Sequence, residues 1–144
     1  APDAYKQAIR LDPKNADAQV NLGRLYQLRG NLKYAKRHYE LALVARPDHQ
    51  LAYYNLGTVF DELDEVQQAS DYYQKAQGIP DAHYNLARLY SRNGDVASCL
   101  KHIDQVLQIE PQWAEDVAHD EHLKWALDMR DLRGDKGEYD NSEG

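Results

Sequence analysis

The octet YYNLGTVF, residues 53–60, decides the fold because it has counterparts. QVNLGRLY fills residues 19–26 and HYNLARLY residues 83–90, so the octets begin 34 and then 30 residues apart. An internal period of this size marks a repeat architecture. Alignment on the octets superposes Leu22/Leu56/Leu86, Gly23/Gly57/Ala87 and Tyr26/Phe60/Tyr90. The register continues through Ala35/Ala69/Cys99, Tyr39/Tyr73/Ile103 and Ala42/Ala76/Val106. Pro47 and Pro111 close the first and third units, and Pro13 closes a unit that precedes the first.

Within each unit the spacing is helical. Leu22 and Tyr26 stand four apart, as do Tyr39 and Leu43, so each segment carries one apolar stripe. Between the stripes lie Gly30-Asn31 and Gly94-Asp95. Glycine suits the left-handed residue that ends a helix, and Asn or Asp suits the cap of the next. Asp64-Glu65 stands there in the second unit, a weaker stop. Each unit therefore reads as two antiparallel helices joined by a tight turn. Gly23 and Ala35 are expected where the paired helices approach closely, and Ala42 where the next pair stacks. One hairpin cannot bury its stripe alone, so the hairpins must stack.

On these residues the chain resembles the tetratricopeptide repeat family. That family places a large apolar residue, Leu, Gly, Tyr, Ala, an aromatic, Ala and Pro at fixed offsets. Gln19 (a polar departure), Leu22, Gly23, Tyr26, Ala35, Tyr39, Ala42 and Pro47 hold those offsets in the first unit. Tyr53, Leu56, Gly57, Phe60, Ala69, Tyr73 and Ala76 hold them in the second. The third is more degenerate, with His83, Leu86, Ala87, Tyr90, Cys99, Ile103, Val106 and Pro111. The resemblance implies an all-α, right-handed superhelical solenoid of antiparallel helix pairs with a C-terminal capping helix.

The expected organisation is then as follows. Residues 1–14 are the second helix of a truncated repeat, and 15–48, 49–79 and 80–111 are the three units. The second unit is short by four residues, about one helical turn, so a turn is lost near Gly78-Pro80 without rotating the buried face. Residues 112–133 form the capping helix, bent or divided near Asp120, and 134–144 a disordered acidic tail. The unpartnered first helix is a candidate surface for self-association.

Eleven tyrosines against one Phe and two Trp imply a thin interior, because each hydroxyl needs water or a partner. The single cysteine, Cys99, excludes an internal disulfide. With no apolar run of membrane length, this favours the cytoplasm, with the periplasm as the alternative. Net charge is −7, and residues 110–144 hold 11 acidic and 4 basic groups, so they carry the whole excess. The neutral body argues against nucleic-acid binding.

Catalytic chemistry is hard to find. There is no phosphate loop and no recognisable nucleophile signature. His119 and His122 with Asp116 form the best metal-like group, but a solvated face on a cap explains them better. No catalytic residue, metal or cofactor is expected, and the chain does not read as an enzyme. The first helix of each pair is expected to line a groove for an extended peptide or a partner helix. Asn21, Asn55 and Asn85 recur there, and an Asn amide can pair both groups of a peptide unit. By resemblance these three would hold a peptide backbone. Arg24, Arg88 and Arg92 suit a carboxylate, and Tyr54 and Tyr84 add rigid contact area. A protein-binding scaffold or adaptor is the resulting expectation. A self-associating array and a regulatory domain of a larger enzyme, such as a glycosyltransferase, are the alternatives.

Overall fold

A computed structural model describes residues 15–131, all of them in helices or the turns between them. The half-repeat expected over 1–14 and the tail expected over 134–144 lie outside the described residues. The chain divides after Ile79 into two compact units.

The first unit contains α1 (Ala16–Leu28), α2 (Leu32–Ala45), α3 (Gln50–Glu62) and α4 (Val66–Gln74). Helix α1 packs on α2, α2 on α3, and α3 on α4. The hairpin turns share one construction. Gly30 has φ 79°, and Asn31 N–H bonds the Tyr26 carbonyl at 2.8 Å, reaching back over the helix end. Asp64 takes the same left-handed conformation, φ 57°, and Glu65 N–H bonds Phe60 O at 2.9 Å. The stop that looked weak in sequence is thus built with the same geometry, because Asp tolerates this region better than most residues. Asn15 caps α1 by accepting from Ala18 N–H at 3.0 Å.

Each hairpin closes on a small residue facing a large one. A methyl group on Gly23 would lie 2.6 Å from the Tyr39 ring, and one on Gly57 2.5 Å from Tyr73. Both tyrosines are fully buried, as are Ala35, Ala42, Ala69 and Ala76. The close partner of Gly23 is therefore an aromatic ring. In the third hairpin Ala87 replaces the glycine and Ile103 the tyrosine, both buried in one cluster. The narrower side chain leaves room for the methyl. On the other flank, a second pattern repeats. Tyr26 stacks on His38, Phe60 on Tyr72, and Tyr90 on His102, with ring centroids 5.3, 5.4 and 5.5 Å apart and planes within 7°.

Helix α4 has nine residues where α2 has fourteen. A turn over 75–78 follows it, and Gln50 Oε1 accepts from Gly78 N–H at 2.6 Å.

The second unit holds α5 (Pro80–Arg92), α6 (Val96–Ile109), a 3-10 turn (Pro111–Trp113) and α7 (Ala114–His119). A last helix, α8, is described over 121–131. Gly94 ends α5 with φ 79°, and Asp95 caps α6 by accepting from Ser98 N–H at 3.1 Å. Hydrogen bonding from the Ser98 hydroxyl, and then from its N–H, holds the exposed Asp95 carboxyl below the usual carboxylate range. Val117, Leu123 and Ala126 of the C-terminal helices are buried with Ala87, Cys99 and Ile103.

The C-terminal segment is two helices, divided at Asp120 by a specific cap. Asp120 Oδ1 accepts from His122 N–H at 2.8 Å, starting α8. Its Oδ2 accepts from Tyr84 Oη at 2.5 Å and lies 3.7 Å from Arg88 Nε. Ser91 adds a second tie, accepting from Trp125 Nε1 and donating to the His122 carbonyl.

Candidate functional site

The first unit has a cleft of about 310 Å³ lined by Arg24, Gln27, Leu28, Asn55, Thr58 and Glu62. A second cleft of about 240 Å³ shares Arg24 and Leu28 with it and adds Asn21 and Leu25. Helices α1 and α3 supply every one of these residues, so the face between them gathers Asn21, Arg24 and Asn55.

The cleft's polar groups are wired to the core. Tyr39 passes beneath Gly23, and its hydroxyl donates to Gln27 Oε1 at 2.7 Å. Gln27 Nε2 in turn donates to Thr58 Oγ1 at 2.8 Å and to Glu62 Oε1 at 3.0 Å. The Thr58 hydroxyl donates to the Asn55 carbonyl at 2.7 Å. Burial pushes the Tyr39 pKa up, so this hydroxyl stays a neutral donor. One repeat later, the Tyr73 hydroxyl donates to Asp61 Oδ2 at 3.2 Å. The tyrosines that demand glycine thus also fix a side chain four residues further along the first helix. The expectation that a Tyr hydroxyl needs water or a partner is met for Tyr39 by Gln27 and for Tyr73 by Asp61.

Asn55 is 7% exposed, and its Nδ2 has no hydrogen-bond partner. A buried donor without an acceptor is uncommon and calls for an explanation. Arg24 carries no ion pair among the described residues. Leu28 is 85% exposed at the cleft wall. Tyr54 is half-buried and leans on Tyr73, ring centroids 5.8 Å apart.

The remaining sequence-predicted residues lie in the second unit. Tyr84 and Asn85 line a cleft of about 250 Å³ with Asp81, Trp113 and Asp116. Arg88 is turned toward Asp120 and ion-pairs with the cap carboxylate at 3.7 Å, without a hydrogen bond from its Nε. Arg92 is exposed at the end of α5. Gln27, Thr58 and Glu62 carry the wiring of the first cleft; sequence puts them on the groove-lining helices but does not mark them as site residues. Their signal was the offset of Gln27 to Asp61, readable only once Tyr39 and Tyr73 are known to pass beneath the glycines.

The metal-like group is dispersed. His119 Nδ1 bonds the Glu115 carbonyl at 2.8 Å, while His122 lies beyond the break at Asp120. Among the described residues, no group of three or more His, Cys, Asp or Glu is placed to hold a metal ion. Cys99 is fully buried, and burial pushes its thiol up to about 11, so the reactive thiolate is disfavoured. No helix among the described residues is long and apolar enough to cross a membrane.

Comparison with known proteins agrees with this architecture. Family profiles described as TPR repeat or tetratricopeptide repeat match residues 1–30, 29–83 and 80–113. The crystal structure of MamA superposes with a TM-score of 0.76 at 25% identity, covering 96% of this chain and 81% of that one. YrrB, described as a TPR protein with an unusual peptide-binding site, gives 0.77 at 21% identity, covering 88% and 66%. Among curated proteins, the barley (Hordeum vulgare) "Probable UDP-N-acetylglucosamine--peptide N-acetylglucosaminyltransferase SPINDLY" is 29% identical over 102 residues, 63% of this chain. The chain spans about a tenth of the length of the curated relatives it matches, 11% in that case. With three repeats in register and an all-helical hairpin fold, the chain belongs to the tetratricopeptide repeat family.

Proposed function

We propose that this chain is a non-catalytic, cytoplasmic protein-interaction module that holds an extended peptide on the α1–α3 face of its first unit. The observation that carries the reading is Asn55. Its buried amide nitrogen lacks an acceptor, and it sits among donors and acceptors already fixed by Tyr39. A peptide carbonyl laid along the cleft would satisfy it. Such a bond reads backbone, so it is independent of the peptide's sequence. Preorganised side chains lower the ordering cost of binding, and Tyr39 supplies that order to Gln27. Leu28 offers apolar contact to a passing side chain, and Arg24 an anchor for an acidic one. Asn21, beside Arg24, extends the same track. In the second unit, Asn85 would repeat the backbone contact, with Tyr84 beside it and Arg92 at the helix end.

A second reading, that the array serves a larger enzyme, is favoured by the barley glycosyltransferase relative. The same face would then present substrate to an attached catalytic domain.

The test is selection of random peptides on the immobilised chain, followed by affinity measurement with Asn55→Ala. Loss of a hydrogen bond to a buried group predicts about tenfold weaker binding, with thermal stability within about 1 kcal/mol of the parent. Undiminished affinity in the variant would remove the proposal's support.

A further inference from the structure

The cleft of the second unit has a different chemistry from that of the first. Asp81, from the first turn of α5, and Asp116, from α7, place two carboxylates on it. Neither is ion-paired with any described residue, and no Lys, Arg or His lines the cleft. Between them stand Tyr84 and Trp113, ring centroids 6.2 Å apart and planes at 78°. Two rings near a right angle make an aromatic corner in the cleft wall. The Tyr84 ring cannot swing freely, because its hydroxyl is bonded to Asp120, which also caps α8.

We propose that this cleft binds a basic side chain of a protein partner, an alkylammonium of the lysine type. The three chemical features select this guest together. An aromatic face attracts a cation through its quadrupole. A methylene stem gains by covering ring surface while its charged head stays near solvent. The two carboxylates then offset the charge of the head. Calcium or magnesium fits poorly, since each demands six or more oxygen ligands and has no use for aromatic walls. A carboxylate guest would meet two like charges. The cleft shares Tyr84 and Asn85 with the second-unit contacts proposed above, whereas the Asn55 cleft belongs to the first unit, so lysine binding here does not depend on backbone capture by Asn55.

The probe is Nα-acetyl-lysine methylamide, with Nα-acetyl-norleucine methylamide as its uncharged match. Both are titrated into the uniformly ¹⁵N-labelled full chain. The chain has two tryptophans, so the indole N–H of Trp113 is assigned by its loss in Trp113→Phe. The Trp125 indole, bonded to Ser91, serves as the internal reference. The lysine probe should shift the Trp113 indole saturably and leave Trp125 in place. The norleucine probe should bind about tenfold more weakly, given the size of a cation–π contact. Asp81→Asn and Asp116→Asn are exposed changes that leave the core intact. Each should weaken the lysine probe about threefold, as expected for an exposed charge pair. Equal shifts from both probes would mean an apolar slot and overturn the proposal. So would lysine binding indifferent to both Asp→Asn changes, or no saturable shift at all. Peptide capture at the Asn55 cleft is read separately, so a failure here leaves that reading standing.

Discussion

The Tyr73 ring lies so close beneath Gly57 that a methyl group on the glycine would stand 2.5 Å from it. The same contact recurs between Gly23 and Tyr39, and in the third hairpin Ala87 and Ile103 hold the corresponding positions in one buried cluster. Glycine on one helix is therefore the condition for tyrosine on the other.

This pairing predicts a compensation. Gly57→Ala forces a fully buried ring to move and should cost about 1–3 kcal/mol, the range for overpacking a filled core. Combined with Tyr73→Ile, which copies the third hairpin, the alanine should be tolerated far better than it is alone. Urea unfolding of the two single variants and the double variant measures the coupling. Additive losses would mean that the ring and the glycine are independent.

The hairpin turns make an opposed pair of predictions. Gly30→Ala places a methyl-bearing residue at φ 79° and should destabilise by about 1 kcal/mol. Asp64→Gly relieves φ 57° and should be neutral to stabilising, by at most about 0.5 kcal/mol after the entropy glycine loses on folding. Melting temperatures of the two variants should move apart.

The second unit should be acid-sensitive. His83 and His102 are buried, with their Nδ1 atoms 3.2 Å apart. Burial, then the neighbouring His83 and Lys101, lowers the His102 pKa from 6.5 to about 4. As pH falls below 6.5 the unfolded chain takes up a proton that the folded chain refuses until about pH 4. Stability is therefore full above pH 6.5 and declines across that window, by about 1–2 kcal/mol after allowance for solvent screening. Both tryptophans belong to this unit, so the urea midpoint followed by their fluorescence reports on it. His102→Tyr, which copies Tyr72, should flatten the dependence.

Cys99 should resist alkylation. A fully buried thiol whose pKa is pushed up to about 11 offers little thiolate at neutral pH. Iodoacetamide should label it only as fast as the unit unfolds, so added denaturant should accelerate labelling steeply. Rapid labelling of the native chain would place Cys99 nearer the surface than the fold has it.

The hairpins were legible in sequence because a period of 34 residues and a spacing of four each have one structural meaning. The need for a small residue at Gly23 was legible for the same reason. Its partner was not, since Ala35 and Tyr39 both face α1 and only the helix register places the ring under the glycine. Likewise a bend or division near Asp120 was legible, yet the role of Asp120 depends on Tyr84 and Arg88, more than thirty residues earlier in the chain. Arg24 and Arg88 share an offset and look alike in sequence. They differ because the cap supplies a carboxylate to one and not to the other. The cleft between Asp81 and Asp116 escaped notice because its walls come from three elements that only the folded second unit brings together.

The most direct test of peptide capture is where a selected peptide lands on the folded chain. In a ¹H–¹⁵N correlation titration, the Asn55 side-chain amide should move most, accompanied by Arg24 Nε, Gln27 Nε2 and the Thr58 backbone. Shifts confined to α2 and α4, with the Asn55 amide unmoved at saturation, would contradict capture by the α1–α3 face.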